Sequence, residues 1–490
     1  MAIERRCEGP AWTGLGIRES AGRYPLRVET AVSNVVSRLL PGVITTTRHA
    51  RMYSLHTLAW ATAHERDLDH AGAADLVRRC EVVIAGIHHF HEEHRVTLSS
   101  AHGEGALDRF LTEDHLDVAA AAELNGLSAA GFADVYQGPC VAIGALTAEP
   151  YPRGGSRADL SAIRAGLGDL LELADRPSVT IDELKSAGRL CLCEAAEAPD
   201  GQWLRRVLVE DARDRPDDRH RQLTCGLLLD ALHDTPSSYA TAVFRDRWAF
   251  GVLEGNPETD DRAQVAALWR AAALRNFSVG AWRALWRWLA AQLNAQPMTA
   301  EELGDQLADA LDDVRVAELV HGLPERMDGG SILPAEIVLA AELPTPMRWV
   351  RELALGAQRL QDLEGPTLAA FVGTDSTDLG PRWVAGLMNE ARDRHVRDVA
   401  RELAMILVRR AQRVSLSKMY LTGDGRPFVP TRLRDRDGIL SVRGEEGAGD
   451  VALRMDSLAD VLAGLGYLDV RDDGAFEVSE RGEALRARRS

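Results

Sequence analysis

The sequence predicts a mainly α, multi-domain helical protein that ends in a small α+β module. Three observations lead there. Apolar residues recur at helical spacing through most of the chain. Strand-like runs are rare before Arg413 and gather after it. The 490 residues, at roughly 100–200 per domain, give about three or four domains. A hydrophobic fraction of 46% with 27% charged residues is that of a folded chain and excludes wholesale disorder. No window approaches eighteen uninterrupted apolar residues, which excludes a membrane-spanning helix. Breakers divide the chain into an N-terminal helical domain over 1–155, a central one over 156–297, a second helical domain over 298–415 and a terminal module over 416–490.

In the N-terminal segment Pro41-Gly42 makes a turn, and Thr45, Thr46 and Thr47 are available to cap the helix that follows. On that helix Arg48 and Arg51 share a face beside His49 and Tyr53. Paired guanidinium groups in this pattern are expected either to bind an anion, phosphate or carboxylate, or to form a polar network under a neighbouring loop. Together with Gly14-Leu-Gly-Ile-Arg18, this stretch resembles the N-terminal portion of uncharacterised helical proteins from bacterial antiphage defence loci. The resemblance covers about fifty residues and implies no catalytic residue.

Ten of the fourteen histidines fall by position 115, most densely in Ile87-His88-His89-Phe90-His91-Glu92-Glu93-His94. On a helix His88, His91 and His94 recur at every third position, a spacing that offers imidazoles to a divalent metal. Steps of three drift around an α-helix, so the three rings converge only with distortion. The alternative is a polar helix end running into the loop His102-Gly-Glu-Gly105. Apart from such a metal no cofactor is expected. The six cysteines contain no CxxC pair, and Cys191-Leu-Cys193 is too short for a zinc knuckle and lies in an apolar, helix-like stretch. All six are expected to be reduced and mostly buried, as in the cytoplasm. The start Met1-Ala-Ile-Glu-Arg-Arg6 lacks the apolar run of a signal peptide, which points to the same compartment.

Further along, Gly138-Pro-Cys-Val-Ala-Ile-Gly144 reads as a strand or a helix start. Thr180 with Glu183 and Thr299 with Glu302 have the spacing of capping boxes. Asp261 to Phe277 and then Trp282 to Leu293 read as two Trp-rich helices packed across a shared core. Loops are expected at Asp211–Asp218, Met327–Ser331 and Gly373–Gly380. No GxxxxGK[ST], GxGxxG, GxSxG or HExxH pattern occurs, so the common phosphate-binding, acyl-transfer and zinc-protease devices are excluded.

The formal net charge is −17, unsuited to a chain that coats nucleic acid along its length. Only Lys185 and Lys418 are lysine, an imbalance that suggests a high-GC bacterial genome. Between Arg392 and Arg436, however, 12 basic residues face 5 acidic ones. Arg409, Arg410, Arg413 and Lys418, then Arg432, Arg434 and Arg436, form the local patch able to meet nucleic-acid phosphates. A solvated helix end is the alternative.

The final stretch reads as a helix over Ser457–Gly466, a hairpin over Tyr467–Val478 and a second helix from Ser479. This order, with Leu465-Gly-Tyr-Leu468 and Ser479-Glu-Arg-Gly482, resembles the second half of a bacterial winged-helix domain over Arg454–Arg489. The resemblance implies either DNA contact or protein docking. The helix ahead of the wing offers Asp456, Ser457 and Asp460, which suits phosphates poorly. Arg471, Arg486, Arg488 and Arg489 are the residues placed to bind backbone rather than bases. The expectation is a non-catalytic accessory or scaffold subunit, partnered by other protein subunits and by duplex DNA, in a nucleic-acid-acting complex such as antiphage defence. A metal-dependent enzyme using the N-terminal histidines and a winged-helix regulator are the alternatives.

Overall fold

A computed structural model describes residues 24–488 apart from 95, 97–98, 124–131, 150, 212–214, 324–333, 374–378 and 423–424. Gly14–Arg18, Cys7, Met327–Ser331, most of the Gly373–Gly380 loop and Arg489 lie outside the described residues. Helices dominate, with small antiparallel sheets, and the chain is a mainly α protein with a small α+β module at its carboxyl end. It divides into two compact units, each assembled from separated stretches. The first comprises Val36–Arg247 and Ala452–Ser490, and the second falls within Met1–Val35 and Trp248–Val451. The boundary at Val451 and Ala452 runs through the segment 416–490, because packing rather than chain order decides which helices share a core.

In the first unit, the helix Ala50–Glu65 is buried at every position from Ala50 to Ala63. A helix enclosed on all sides belongs at the centre of a bundle. Around it pack His70–Phe90, Leu160–Ala174 and Pro199–Arg205. Asp69 caps the His70 helix by accepting from Gly72 N, and Asp159 caps the Leu160 helix through Ala162 N. The Thr180–Glu183 capping box forms as the spacing requires. Gly138–Gly144 is not a strand: it runs through the end of the helix Phe132–Ala142, which accommodates Pro139.

The carboxyl-terminal part of this unit is the helix Met455–Gly464, a hairpin pairing Leu468–Val470 with Phe476–Val478, and the helix Glu480–Ala487. Gly466 and Gly474 adopt φ near +78° and +79°, where a side chain would be strained, and so set the two turns. The Met455 helix is buried on most of its faces. Asp456 accepts from Thr241 N and Oγ1, and Ser457 Oγ donates to the Thr45 carbonyl. Those polar groups therefore serve the unit's own packing.

In the second unit, the Trp-rich stretch is one helix, Asp261–Ala295, and not the expected pair. Asp260 caps it through Arg262 N and Ala263 N. Gly280 does not break it, since an interior glycine weakens a helix by only about 1 kcal/mol and burial of Trp269, Trp282 and Trp286 exceeds that. Asn276 clamps the chain at Val451 by donating to its carbonyl and accepting from its amide. The capped helix Ala300–Asp309 packs on Val396–Ser417, and Gly304 allows the backbone at Arg401 to approach. A three-stranded antiparallel sheet sets Ile439–Val442 between Met298–Thr299 and Leu433–Arg436.

The continuous helix makes a directional prediction. A Cβ at Gly280 would meet Asp450 at 3.7 Å, an ordinary contact. Gly280→Ala is therefore expected to stabilise the chain by about 0.5–1 kcal/mol in urea denaturation. A loss of stability would mean that a break is needed there.

Candidate metal centre

The His70–Phe90 helix stops one residue before His91, whose backbone is extended at φ −76° and ψ 116°. His88 therefore stays in the last helical turn, while His91 and His94 leave the helix. This removes the angular drift that a continuous helix would impose on the three rings.

The second contribution comes from Cys191 and Cys193. They do not lie in the helix-like stretch expected: Cys191 links two short 3-10 turns, Gly188–Leu190 and Leu192–Glu194, and Cys193 lies in the second. Between the turns Cys191 is extended, at φ −56° and ψ 149°. Residues two apart on a helix do not face one another. The extended link turns both thiols to the same side, with their sulfurs 3.3 Å apart.

His91 Nδ1 lies 3.4 Å from Cys193 Sγ, and His94 Nδ1 lies 3.7 Å from Cys191 Sγ. One donor atom from each of His91, His94, Cys191 and Cys193 falls within 4.8 Å of all the others. Both cysteines are fully buried, His91 is half-buried and His94 is exposed. Gly188 makes the approach feasible, because a Cβ there would stand 2.8 Å from His91 Cδ2. Hydrogen bonding to Cys193, then burial, pushes the Cys191 thiol far above its ordinary range. Without a metal, the Cys191 sulfur is thus strongly inclined to keep its proton.

Arg51 fixes the turn that carries these sulfurs. Its Nη1 donates to the carbonyls of Arg189 and Cys191, both at 2.8 Å, and Nη2 donates to Gly166 O at 3.1 Å. Nε and Nη2 also hold Asp200 bidentately, at 3.3 and 3.2 Å. The expected anion partner of Arg51 is thus a carboxylate of the chain itself, and Arg51 is fully buried. Arg48 points elsewhere: it is about half exposed, with Nε 3.7 Å from Asp460 Oδ2. Burial raises the Asp460 carboxyl to about 6, partly offset by Arg48. The two arginines do not form one anion site.

Of the three histidines expected as ligands, His91 and His94 join the four-donor group. His88 stands outside it, buried, with Nδ1 3.1 Å from Cys191 Sγ. Burial, and then the neighbouring His94, lowers its basicity. Cys191 and Cys193 were missed because CxC lacks the familiar knuckle spacing. Their signal lay in context, between a capped helix that stops at Ser186-Ala-Gly188 and a proline start at Pro199.

The basic residues are divided between the two units. Arg409, Arg410, Arg413, Lys418, Arg432, Arg434 and Arg436 belong to the second unit, and Arg471, Arg486 and Arg488 to the first. Arg410 is buried and donates to Leu26 O, while Lys418 Nζ donates to Tyr24 O. Arg432 donates to the Glu445 carbonyl and lies 3.9 Å from Glu446. Arg486 pairs with Asp230 and Glu483, and exposed Arg471 lies 3.9 Å from Asp473. Arg409, Arg413, Arg436 and Arg488 are exposed, and Arg434 is half-buried on its strand. No helix among the described residues is long and apolar enough to cross a membrane.

These features define a mainly α chain with a two-cysteine, two-histidine candidate metal centre. No family model, no curated protein and no solved structure matches it.

The surroundings of the centre include His49, whose imidazole burial lowers from 6.5 to about 3. Its Nε2 lies 3.2 Å from the Ser100 carbonyl. The unfolded chain takes up this proton near pH 6.5, whereas the folded unit resists until about pH 3. His49 therefore contributes fully above pH 6.5, and its contribution is lost as the pH falls from 6.5 towards 3. Glutamine can keep the bond to Ser100 without titrating. His49→Gln is expected to lose stability less steeply than the parent over this window, by up to about 1.4 kcal/mol per pH unit. Parallel curves for the two chains, measured by urea denaturation, would contradict this.

Proposed function

We propose that the chain is a non-catalytic, zinc-binding accessory protein. Zn²⁺ held by His91, His94, Cys191 and Cys193 would pin the loop after the His70 helix to the turns ahead of the Pro199 helix. The observation that carries this reading is the mutual proximity of four donors within 4.8 Å. A tetrahedron with Zn–S near 2.3 Å and Zn–N near 2.0–2.1 Å has edges of roughly 3.3–3.8 Å. The two sulfur–nitrogen separations of 3.4 and 3.7 Å bracket the S–N edge of about 3.6 Å, and the sulfurs, 3.3 Å apart, need to part by about 0.5 Å to reach the S–S edge.

The donor set favours zinc among common cations, since thiolate with imidazole suits it and carboxylate-seeking magnesium or calcium is poorly served. Four protein ligands fill a four-coordinate shell and leave no position for substrate. That closure supports the accessory role over a metal-dependent enzyme, and an accessory subunit of a larger bacterial complex remains the class proposed.

Protein prepared without metal and then reconstituted is expected to retain about one zinc per chain by elemental analysis. Cys191→Ser/Cys193→Ser is expected to retain none. Chelation should destabilise the parent by about 4 kcal/mol when free zinc had stood 1,000-fold above Kd, and leave the double variant unaffected. No retained metal, or equal retention in the variant, would overturn the reading.

Binding should also release about two protons per zinc at neutral pH, because a thiol, with an ordinary pKa of about 8.5, is mostly protonated there and coordinates as a thiolate. A pH indicator in weakly buffered solution measures this. Uptake without proton release would contradict thiolate coordination.

A further inference from the structure

The donor cluster has a fifth polar neighbour. His88 Nδ1 reaches Cys191 Sγ at 3.1 Å, yet His88 is not among the residues whose donors all lie within 4.8 Å of one another. It touches one sulfur and misses the rest of the shell, which is the position of an outer partner and not of a fifth ligand. Its ring is held in place between that of His94, with centroids 4.7 Å apart, and that of His49, at 6.2 Å. Only 6% of the residue is exposed.

A metal-bound thiolate in such a place keeps lone pairs and negative charge that water does not reach. Buried charge of this kind requires a donor. The backbone amide of Cys193 supplies one and leaves further lone pairs of the sulfur to be met, while the Cys191 carbonyl is itself an acceptor, taken by Arg51. The His88 imidazole is the side chain outside the four-donor group that is set against this sulfur, at 3.1 Å.

We propose that His88 is a positioning residue of the metal centre, donating Nδ1–H to the Cys191 thiolate while His91, His94, Cys191 and Cys193 bind the metal. This rests on the metal-centre reading above. The N–H···S bond spreads the thiolate charge, fixes the direction of its lone pairs and tunes how strongly the sulfur donates to the metal. Outer partners of this kind orient ligands and are worth about 10–100-fold in metal affinity.

Asparagine is the informative replacement, because its amide nitrogen stands as many bonds from Cα as Nδ1 does. The test uses the full chain as wild type, His88→Ala, His88→Asn and His91→Ala. Zn²⁺ affinity is read by competition with a chromophoric chelator, and Co²⁺ serves as the spectroscopic probe. His88→Ala is expected to keep one metal per chain, to bind zinc about 10–100-fold more weakly and to move the sulfur-to-cobalt charge-transfer band to lower energy. His88→Asn should return both quantities towards wild type, and His91→Ala should lose most of the metal. Unchanged affinity and spectrum in His88→Ala would overturn the proposal, as would an asparagine variant no better than alanine. Complete loss of metal from a still-helical His88→Ala chain would make His88 a ligand and overturn it equally. A wild-type chain that takes up neither cation removes the metal centre itself, a failure distinct from a centre that binds normally without His88.

Discussion

A guanidinium has five N–H donors, and each one buried without an acceptor costs free energy. Arg51 avoids that cost with three backbone carbonyls and both oxygens of Asp200. The arrangement ties three separate stretches to the central helix: Gly166 within one helix, Asp200 at the start of another, and the turn from Arg189 to Cys191. Gly166 is part of the same constraint, since a Cβ there would fall 2.1 Å from Asp200 Oδ1. Removing one member of such a buried pair typically destabilises by about 3–5 kcal/mol. The placement of Cys191 follows from this bracket, so the sulfurs stand ready beside the histidines before any metal arrives. The ordering entropy of the site is met by folding rather than by binding.

Arginine recurs in this role. Arg221 is buried in the first unit, donating to the carbonyls of Pro41, Val207 and Leu208 and to Asp218. Arg359, buried in the second unit, holds Glu336 bidentately and reaches Asp362. A planar fork suits such brackets, and lysine offers no equivalent geometry. The excess of arginine therefore has a structural use beyond genome composition. It also shows why the count of 12 basic residues between Arg392 and Arg436 overstates the surface available to phosphates: Arg410 is interior, and Lys418 and Arg432 direct donors to carbonyls of their own unit.

What the sequence made legible was local. The capping boxes at Thr180 and Thr299, and the terminal order of helix, hairpin and helix, form where their residues indicate, because each depends on neighbours a few positions apart. The helix stop after Phe90 carries no glycine or proline to announce it. The helix across Gly280 persists because tertiary burial outweighs a local preference, and Pro139 is tolerated inside a helix for the same reason. Half of the candidate metal centre was visible in the spacing of His91 and His94. The other half came from residues about one hundred positions away, and their convergence depends on the Arg51 bracket, which no spacing rule encodes.

Charge balance gives the centre its character. In the proposed centre two thiolates would neutralise the divalent charge of zinc, so the assembled cluster would carry little net charge into a buried place. Empty of metal, Cys191 holds its proton tightly because its hydrogen bond with Cys193, and then burial, disfavour the bare anion. Exchange of two protons for one Zn²⁺ thus replaces one neutral arrangement with another. A zinc neutralised in this way is a weak Lewis acid compared with one held by neutral imidazoles alone, and its shell is already full. Exposure of His94 consequently gives solvent access to a ligand and not to an open coordination position. Those two properties, electrical neutrality and a closed shell, favour a clamp between the helix end and the cysteine turns over a centre that activates water.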